Sequence, residues 1–248
     1  LGTPREKGGA AVCISADDGK TWTIAQTGKY RVYDFLAVAG GLYAVETIPG
    51  GRASKSYVTK WLSGCWVYEY IGPDRFVPRK DITAATLFPQ TNLRSYWSTK
   101  AVRVHSLEDE ALYIGAVVHN DHQFLPFGLY VASSLRKEDM RVRRIALPGP
   151  SKPWDLLVRD DGVYVLLESG AAGAVEVKVL RSQGPDLNVW DEVLHFSSPT
   201  FARSFEKLDG DFYFGLGCEV EDPRNWEDEE LHPATGNILR VKAAFVSD

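Results

Sequence analysis

Four tyrosines constrain this chain more than any other feature. Tyr43, Tyr113, Tyr164 and Tyr213 each follow an apolar run and a tight Gly, Asp or Glu turn, in "FLAVAGGLYAVE", "VHSLEDEALYIGAV", "LLVRDDGVYVLLE" and "FEKLDGDFYFGLG". Alternating apolar residues on either side of such a turn predict an antiparallel hairpin. The spacings are 70, 51 and 49 residues, and a period near 50 suits four-stranded units repeated about an axis. The wide first interval contains two long insertions, residues 47–60 and 82–99. A second pair of strands is predicted after each tyrosine, in "CWVYEYIGPDRFVPR", "GLYVASSLRKEDMRVRRI", "VEVKVLRSQGPDLNVWDEV" and "NILRVKAAF". No stretch sustains a 3.6-residue period, so long helices are not expected.

The stretch "SADDGKTW", Ser15 to Trp22, lies between two short strand patterns at the N-terminal end. Asp side chains accept hydrogen bonds from turn amides, Gly tolerates positive φ, and hydroxyls secure further backbone groups, so Ser15, Asp17, Gly19 and Thr21 read as turn-makers. Trp22 is expected to bury its ring beside the turn. The pattern Ser-x-Asp-x-Gly-x-Thr-Trp resembles the Asp-box, or BNR repeat, of sialidase-like β-propellers, whose relatives include sortilin-type receptors and photosystem assembly factors. In that superfamily the box is a structural turn between the outer strands of a blade, on the face opposite the pocket. Ser182, Gly184, Asp186 and Trp190 are a degenerate form of it.

Period and resemblance together predict an all-β chain: one β-propeller domain over residues 1–248, with about five four-stranded antiparallel blades. The repeat units run roughly 1–28, 29–82, 95–148, 149–197 and 198–248. The last unit lacks a fourth strand after Phe245. Either the N-terminal hairpin strand, residues 21–25, closes it, which would remove exposed edges, or inner strands belong to an upstream segment.

Composition narrows the partners. With 44% hydrophobic and 25% charged residues the chain reads as globular, and its net charge of −5 argues against nucleic acid. The longest apolar run, residues 36–45, is interrupted by Gly40 and Gly41 and is too short to span a membrane. Three cysteines, Cys13, Cys65 and Cys218, form no CxxC pair. The only methionine is Met140 and no leader pattern precedes Leu1, so the start is expected to be processed or trimmed. The resemblance slightly favours a secreted or extracytoplasmic location.

Aligning the repeats on their tyrosines places Tyr33, Arg103, Trp154 and Arg203 ten residues upstream, followed by Asp34, Val104, Asp155 and Ser204. This column opens each first strand. With Arg31 and Lys152 it gathers guanidinium, aromatic and carboxylate groups suited to a sugar or small carboxylate; strand-end ion pairs are the alternative. The ligand-binding candidates are therefore Arg31, Tyr33, Asp34, Arg103, Trp154, Asp155 and Arg203. Two metal readings are weaker. Glu219, Glu221, Asp222, Glu227, Asp228, Glu229, Glu230 and His232 offer oxygens to calcium without a recognised spacing, and His119, Asp121 and His122 lack further zinc ligands. No cofactor is expected.

The resemblance to sialidases implies an arginine triad on a substrate carboxylate, a Tyr-Glu nucleophile pair and an Asp acid/base. Arg31, Arg103 and Arg203 fit the triad by position alone. Arg31-Val32-Tyr33 lies downstream of the box without the family's Arg-Ile-Pro proline, and no Tyr-Glu pair is assignable. No GxSxG, Walker, Rossmann or HExxH motif is present. The expected function is recognition of a glycan or protein ligand on the face opposite the Asp-box, without catalysis. A sialidase-like glycoside hydrolase and a scaffold or assembly module are the alternatives.

Overall fold

The computed structural model describes residues 10–27, 32–46, 67–91, 99–119, 123–136, 138–171, 173–217 and 232–245. With 62% strand and 3% helix among the described residues, the fold is all-β. The chain divides into two compact units, Leu1–Arg144 and Ile145–Asp248. The division falls near the boundary expected between the second and third tyrosine repeats.

The first unit opens with a hairpin, β1 (Ala11–Ile14) and β2 (Thr23–Gln26), that forms a sheet of its own. A four-stranded meander follows: β3 (Val32–Val38), β4 (Gly41–Glu46), β5 (Val67–Tyr70) and β6 (Phe76–Pro78). A second meander is built from β7 (Thr99–Leu107), β8 (Glu110–His119), β9 (Gln123–Ala132) and β10 (Val142–Ile145). In the second unit β11 (Lys152–Arg159), β12 (Gly162–Ala171), β13 (Ala174–Ser182) and β14 (Trp190–Ser198) form the same four-stranded order. β15 (Phe201–Leu208), β16 (Asp211–Gly217) and β17 (Ile238–Val241) make a sheet of three. Among the described residues no fourth strand joins this last sheet, and β2, the candidate to close it, pairs with β1 instead; β17 is followed by a 3₁₀ turn, Ala243–Phe245. Within each unit the first strands of neighbouring sheets lie side by side, β3 with β7 and β11 with β15.

The turn from Ser15 to Trp22 is built from its own side chains. Asp17 accepts hydrogen bonds from Thr21 N (2.8 Å) and Thr21 Oγ1 (2.7 Å), and Ser15 Oγ accepts from Gly19 N (2.7 Å) while donating to Asp17 Oδ1 (2.9 Å). The Thr21 N–H is the main reason the Asp17 carboxyl sits below the usual carboxylate range. Asp18 and Gly19 take the positive φ angles of 56° and 86°. Trp22 departs from expectation: it is 61% exposed, with its indole N–H donating to the Gly19 carbonyl at 3.0 Å. The turn satisfies the polar end of the ring and leaves its apolar face to solvent. Trp190 repeats this bond in the turn that follows Ser182, donating to the carbonyl of Leu187, itself at φ 56°, at 3.1 Å. The local geometry survives where the side-chain pattern does not.

The hairpin turns its other face inward. Val12 and Ala25, directly paired, pack with Ala10, Val32, Ala44 and Phe76, which seats the hairpin on the first meander.

Three of the four repeat tyrosines are fully buried, Tyr43, Tyr113 and Tyr164, and Tyr213 is half-buried. Burial of a phenol requires a partner for its hydroxyl. Tyr113 donates to the carbonyl of Leu87 (2.7 Å), and Tyr164 donates to Asp161 (2.6 Å). Leu87 belongs to the insertion between the first two meanders, where Thr83 and Thr86 exchange hydrogen bonds at the start of a single helical turn, α1 (Ala84–Leu87). Ile82, Leu87 and Phe88 are buried with the first-unit core. Phe88 meets Tyr113, Tyr130 and Phe127 edge to face, at centroid distances of 6.2, 5.6 and 5.4 Å. Gly115 makes room for this cluster, since a Cβ there would lie 2.7 Å from the Phe127 ring. The long first interval is thus filled partly by core.

Replacing Phe88 with Ala removes a ring enclosed on three sides and is expected to cost about 3–5 kcal/mol. Urea denaturation of the two proteins measures the difference; a loss under about 1 kcal/mol would mean the insertion is peripheral.

Candidate functional site

Each first strand is interrupted by a β-bulge in the candidate column. The register shifts between Val32 and Asp34 in β3, Val102 and His105 in β7, Pro153 and Asp155 in β11, and Ala202 and Ser204 in β15. The extra residues are Tyr33, Trp154 and Arg203 in three strands and fall at Arg103 and Val104 in β7. A bulge leaves one residue outside the ladder and re-aims its neighbours. Recurrence of the bulge at one position of the repeat is the structural counterpart of the tyrosine register.

The aspartates that follow two of these bulges do the same thing in both units. Asp34 Oδ1 accepts from its own neighbour, Phe35 N (2.9 Å), and Oδ2 from Val104 N of β7 (3.4 Å). Asp155 Oδ1 accepts from Leu156 N (3.0 Å) and Oδ2 from Phe205 N of β15 (3.0 Å). In each case one carboxylate binds the backbone of its own sheet and of the next. Asp155 is 7% exposed, whereas Asp34 is half-buried. Burial raises the Asp34 carboxyl above its ordinary range despite the N–H donors of Phe35, Val104 and Arg103 and the positive charge of Arg103. Arg103 is exposed and has φ 54°; it is the one non-glycine residue at positive φ, among the described residues, that lies inside a strand. That left-handed step turns its N–H toward the Asp34 carboxylate.

The remaining candidates of the second unit form a stack in which a partly exposed arginine covers buried rings. The Arg203 guanidinium lies 3.5 Å from the centroid of the Trp154 ring and 4.4 Å from that of Phe201. Its Nε is 3.5 Å from Glu168 Oε2, whose other oxygen accepts from Ala202 N. Glu168 and Trp154 are each 4% exposed. Here the cation is matched by a carboxylate and covers the aromatic face that a sugar would use. Lys152, opposite Glu168 in the ladder, is exposed.

Arg31 lies outside the described residues, and Tyr33 is placed by its backbone at the β3 bulge. The structure brings Asp34 together with Arg103 in the first unit, and Trp154 with Arg203 in the second. The acidic segment falls at positions 218–231, outside the described residues apart from His232, as do Asp121 and His122. Among the described residues no group of three or more His, Cys, Asp or Glu side chains is arranged to hold a metal ion, and no helix is long and apolar enough to cross a membrane. Cys13 is an exposed free thiol.

Sequence reasoning overlooked Glu168. Its signal is an acid ending a buried apolar strand, "YVLLE", and the matching "YAVE" ends in Glu46, 1% exposed. Equally unforeseen are the cations set beside three of the tyrosines. Arg79 lies 5.8 Å from the Tyr43 ring centroid and pairs with Asp81 (2.8 Å) and Glu69 (3.0 Å). Lys207 lies 4.4 Å from that of Tyr164 and pairs with Asp161 (2.6 Å). Arg240 lies 5.7 Å from that of Tyr213 and pairs with Asp211 (Nε, 2.7 Å). Neither a family model nor a curated protein matches this chain.

Two outcomes follow. Arg203→Ala removes the cation facing Glu168 and is expected to cost about 2–4 kcal/mol, less than a fully enclosed pair because Arg203 is partly exposed; adding Glu168→Gln should recover part of it. A double-mutant cycle in urea reads the coupling, and additive losses would refute the pairing. For Asp34 the folded carboxyl is raised, so its contribution is fullest below the ordinary carboxylate range and declines as pH rises through the folded value. Asp34→Asn should therefore gain stability relative to wild type between pH 3 and 7; a constant difference over that range would contradict the burial argument.

Proposed function

We propose that the chain is a non-catalytic recognition module of β-propeller type, related to the Asp-box superfamily, whose blades are the five sheets. A glycan or protein ligand is recognised on the loop face opposite the Asp-box turn, where loops carried by a rigid frame are placed to vary. The meander order of the sheets, the side-by-side first strands and the recurring bulge support the propeller reading. Carriage of function by loops rather than by the first-strand column rests on one observation: the carboxylates of Asp34 and Asp155 are committed to backbone N–H groups, and Arg203 to Glu168 and Trp154. A hydrolase needs a carboxyl free to exchange a proton with substrate and cations free to grip it.

A hydrolase reading draws on a different observation, the raised carboxyl of Asp34 beside Arg103 with its left-handed backbone, since perturbed acids and strained residues gather at active sites. One experiment separates the two. A glycan array and a panel of fluorogenic sialosides and other glycosides are run on the same preparation. Saturable glycan binding without turnover is the expected result. Turnover that disappears in Asp34→Asn would replace recognition by hydrolysis, and silence on both would move the ligand to another protein.

A further inference from the structure

The four meander-type sheets end in outer strands β6, β10, β14 and β17, each hydrogen-bonded on one side. An open edge invites another strand unless its chemistry discourages it. β6 ends in Pro78, which has no N–H to offer. β14 carries a closed ladder with β13: Lys178 pairs with Glu192 (2.6 Å), His195 stands between Glu192 (3.4 Å) and Glu176 (2.8 Å), and Ser197 donates to Glu176 (2.6 Å). On β17 Arg240 is held by Asp211. β10 is as short as β17, but among the described residues its charges are not closed by carboxylates.

Around β10, residues 136–144 carry five basic and two acidic residues in a chain of net charge −5. Arg141, Arg143 and Arg144 are exposed, and among the described residues no carboxylate pairs with any of them. Arg144 turns back to the Phe127 carbonyl (2.9 Å). Arg141 and Arg143, two residues apart, share one side of the extended chain about 7 Å apart. Val142, between them, packs against the core and holds the strand in place.

We infer that the outer edge of β10 is a docking edge for an extended acidic segment of a partner polypeptide, added as an antiparallel or parallel fifth strand. Backbone hydrogen bonds to the open edge give the strand its place. Carboxylates at alternate positions of the incoming segment meet Arg141 and Arg143, as cross-strand pairs of opposite charge do within a sheet. The demand for alternate acids on an extended backbone distinguishes this partner from a polyanion held by charge alone. This edge is separate from the loop face assigned to ligand recognition and does not depend on it.

The test is fluorescence anisotropy of the full chain with a labelled Thr-Glu-Val-Glu-Val-Glu-Thr peptide, its Lys-for-Glu counterpart, a copy N-methylated at alternate backbone amides, and a sulfated oligosaccharide. Saturable binding of the acidic peptide is expected, weakened at least tenfold in Arg141→Glu/Arg143→Glu and in the N-methylated copy, and unchanged in Arg75→Glu, an exposed arginine elsewhere. Matching thermal melts of the variants confirm that each is folded. No binding of the acidic peptide, equal binding of the N-methylated copy, or binding of the sulfated oligosaccharide alone would each overturn the inference.

Discussion

A carboxylate that joins the backbones of two neighbouring sheets carries the rest of this architecture. The first strand of each meander has a partner on one side only, so its outward N–H groups have no ladder to enter. Asp34 and Asp155 supply acceptors for two of them, Val104 N and Phe205 N, while holding their own strands through the following amide. Buried donors left without acceptors are costly, and a bulge just before each aspartate aims the carboxylate at the next sheet rather than along its own. Sheet-to-sheet spacing within each unit is thereby set by hydrogen bonds of defined length as well as by apolar packing.

The charged side chains follow a similar logic at the hairpin tyrosines. Cations from three different elements, Arg79 after β6, Lys207 of β15 and Arg240 of β17, approach Tyr43, Tyr164 and Tyr213, and each is balanced by a carboxylate nearby. The Tyr113 ring instead meets Phe88 and Tyr130. Arg79 also donates to the carbonyl of Leu135, tying the first meander to the second. The charge is used to fasten edges of sheets, where long aliphatic stems cover ring surface and charged heads reach polar groups.

The strands, the hairpins around each tyrosine and the turn from Ser15 to Trp22 were legible in the sequence because they depend on neighbours within about ten residues. The bulges were not. An extra residue in a strand leaves the alternation almost intact, so Tyr33, Trp154 and Arg203 looked like the start of a pocket column when three of the four shifts place them just outside the ladder. Trp22 shows the opposite case: the residue types specify its turn, but the size of the ring does not specify its burial, because the indole N–H already has a carbonyl partner in the turn. Glu168 and the tyrosine-side cations were invisible because their partners, Arg203 for Glu168 and the rings of Tyr43, Tyr164 and Tyr213 for the cations, lie far away in the chain. What could be inferred from local pattern was the frame, and what escaped was the set of long-range polar contacts that hold it.

The helical turn and Phe88, lodged among the rings of the first unit, give the repeats unequal standing. Sheets built to one plan are often regarded as exchangeable parts, yet a meander transplanted from the second unit would bring no counterpart to Ile82, Leu87 and Phe88 and would leave Tyr113 without its carbonyl acceptor. Recombination among these units is therefore restricted to grafts that carry the intervening segment along with the sheets it seals.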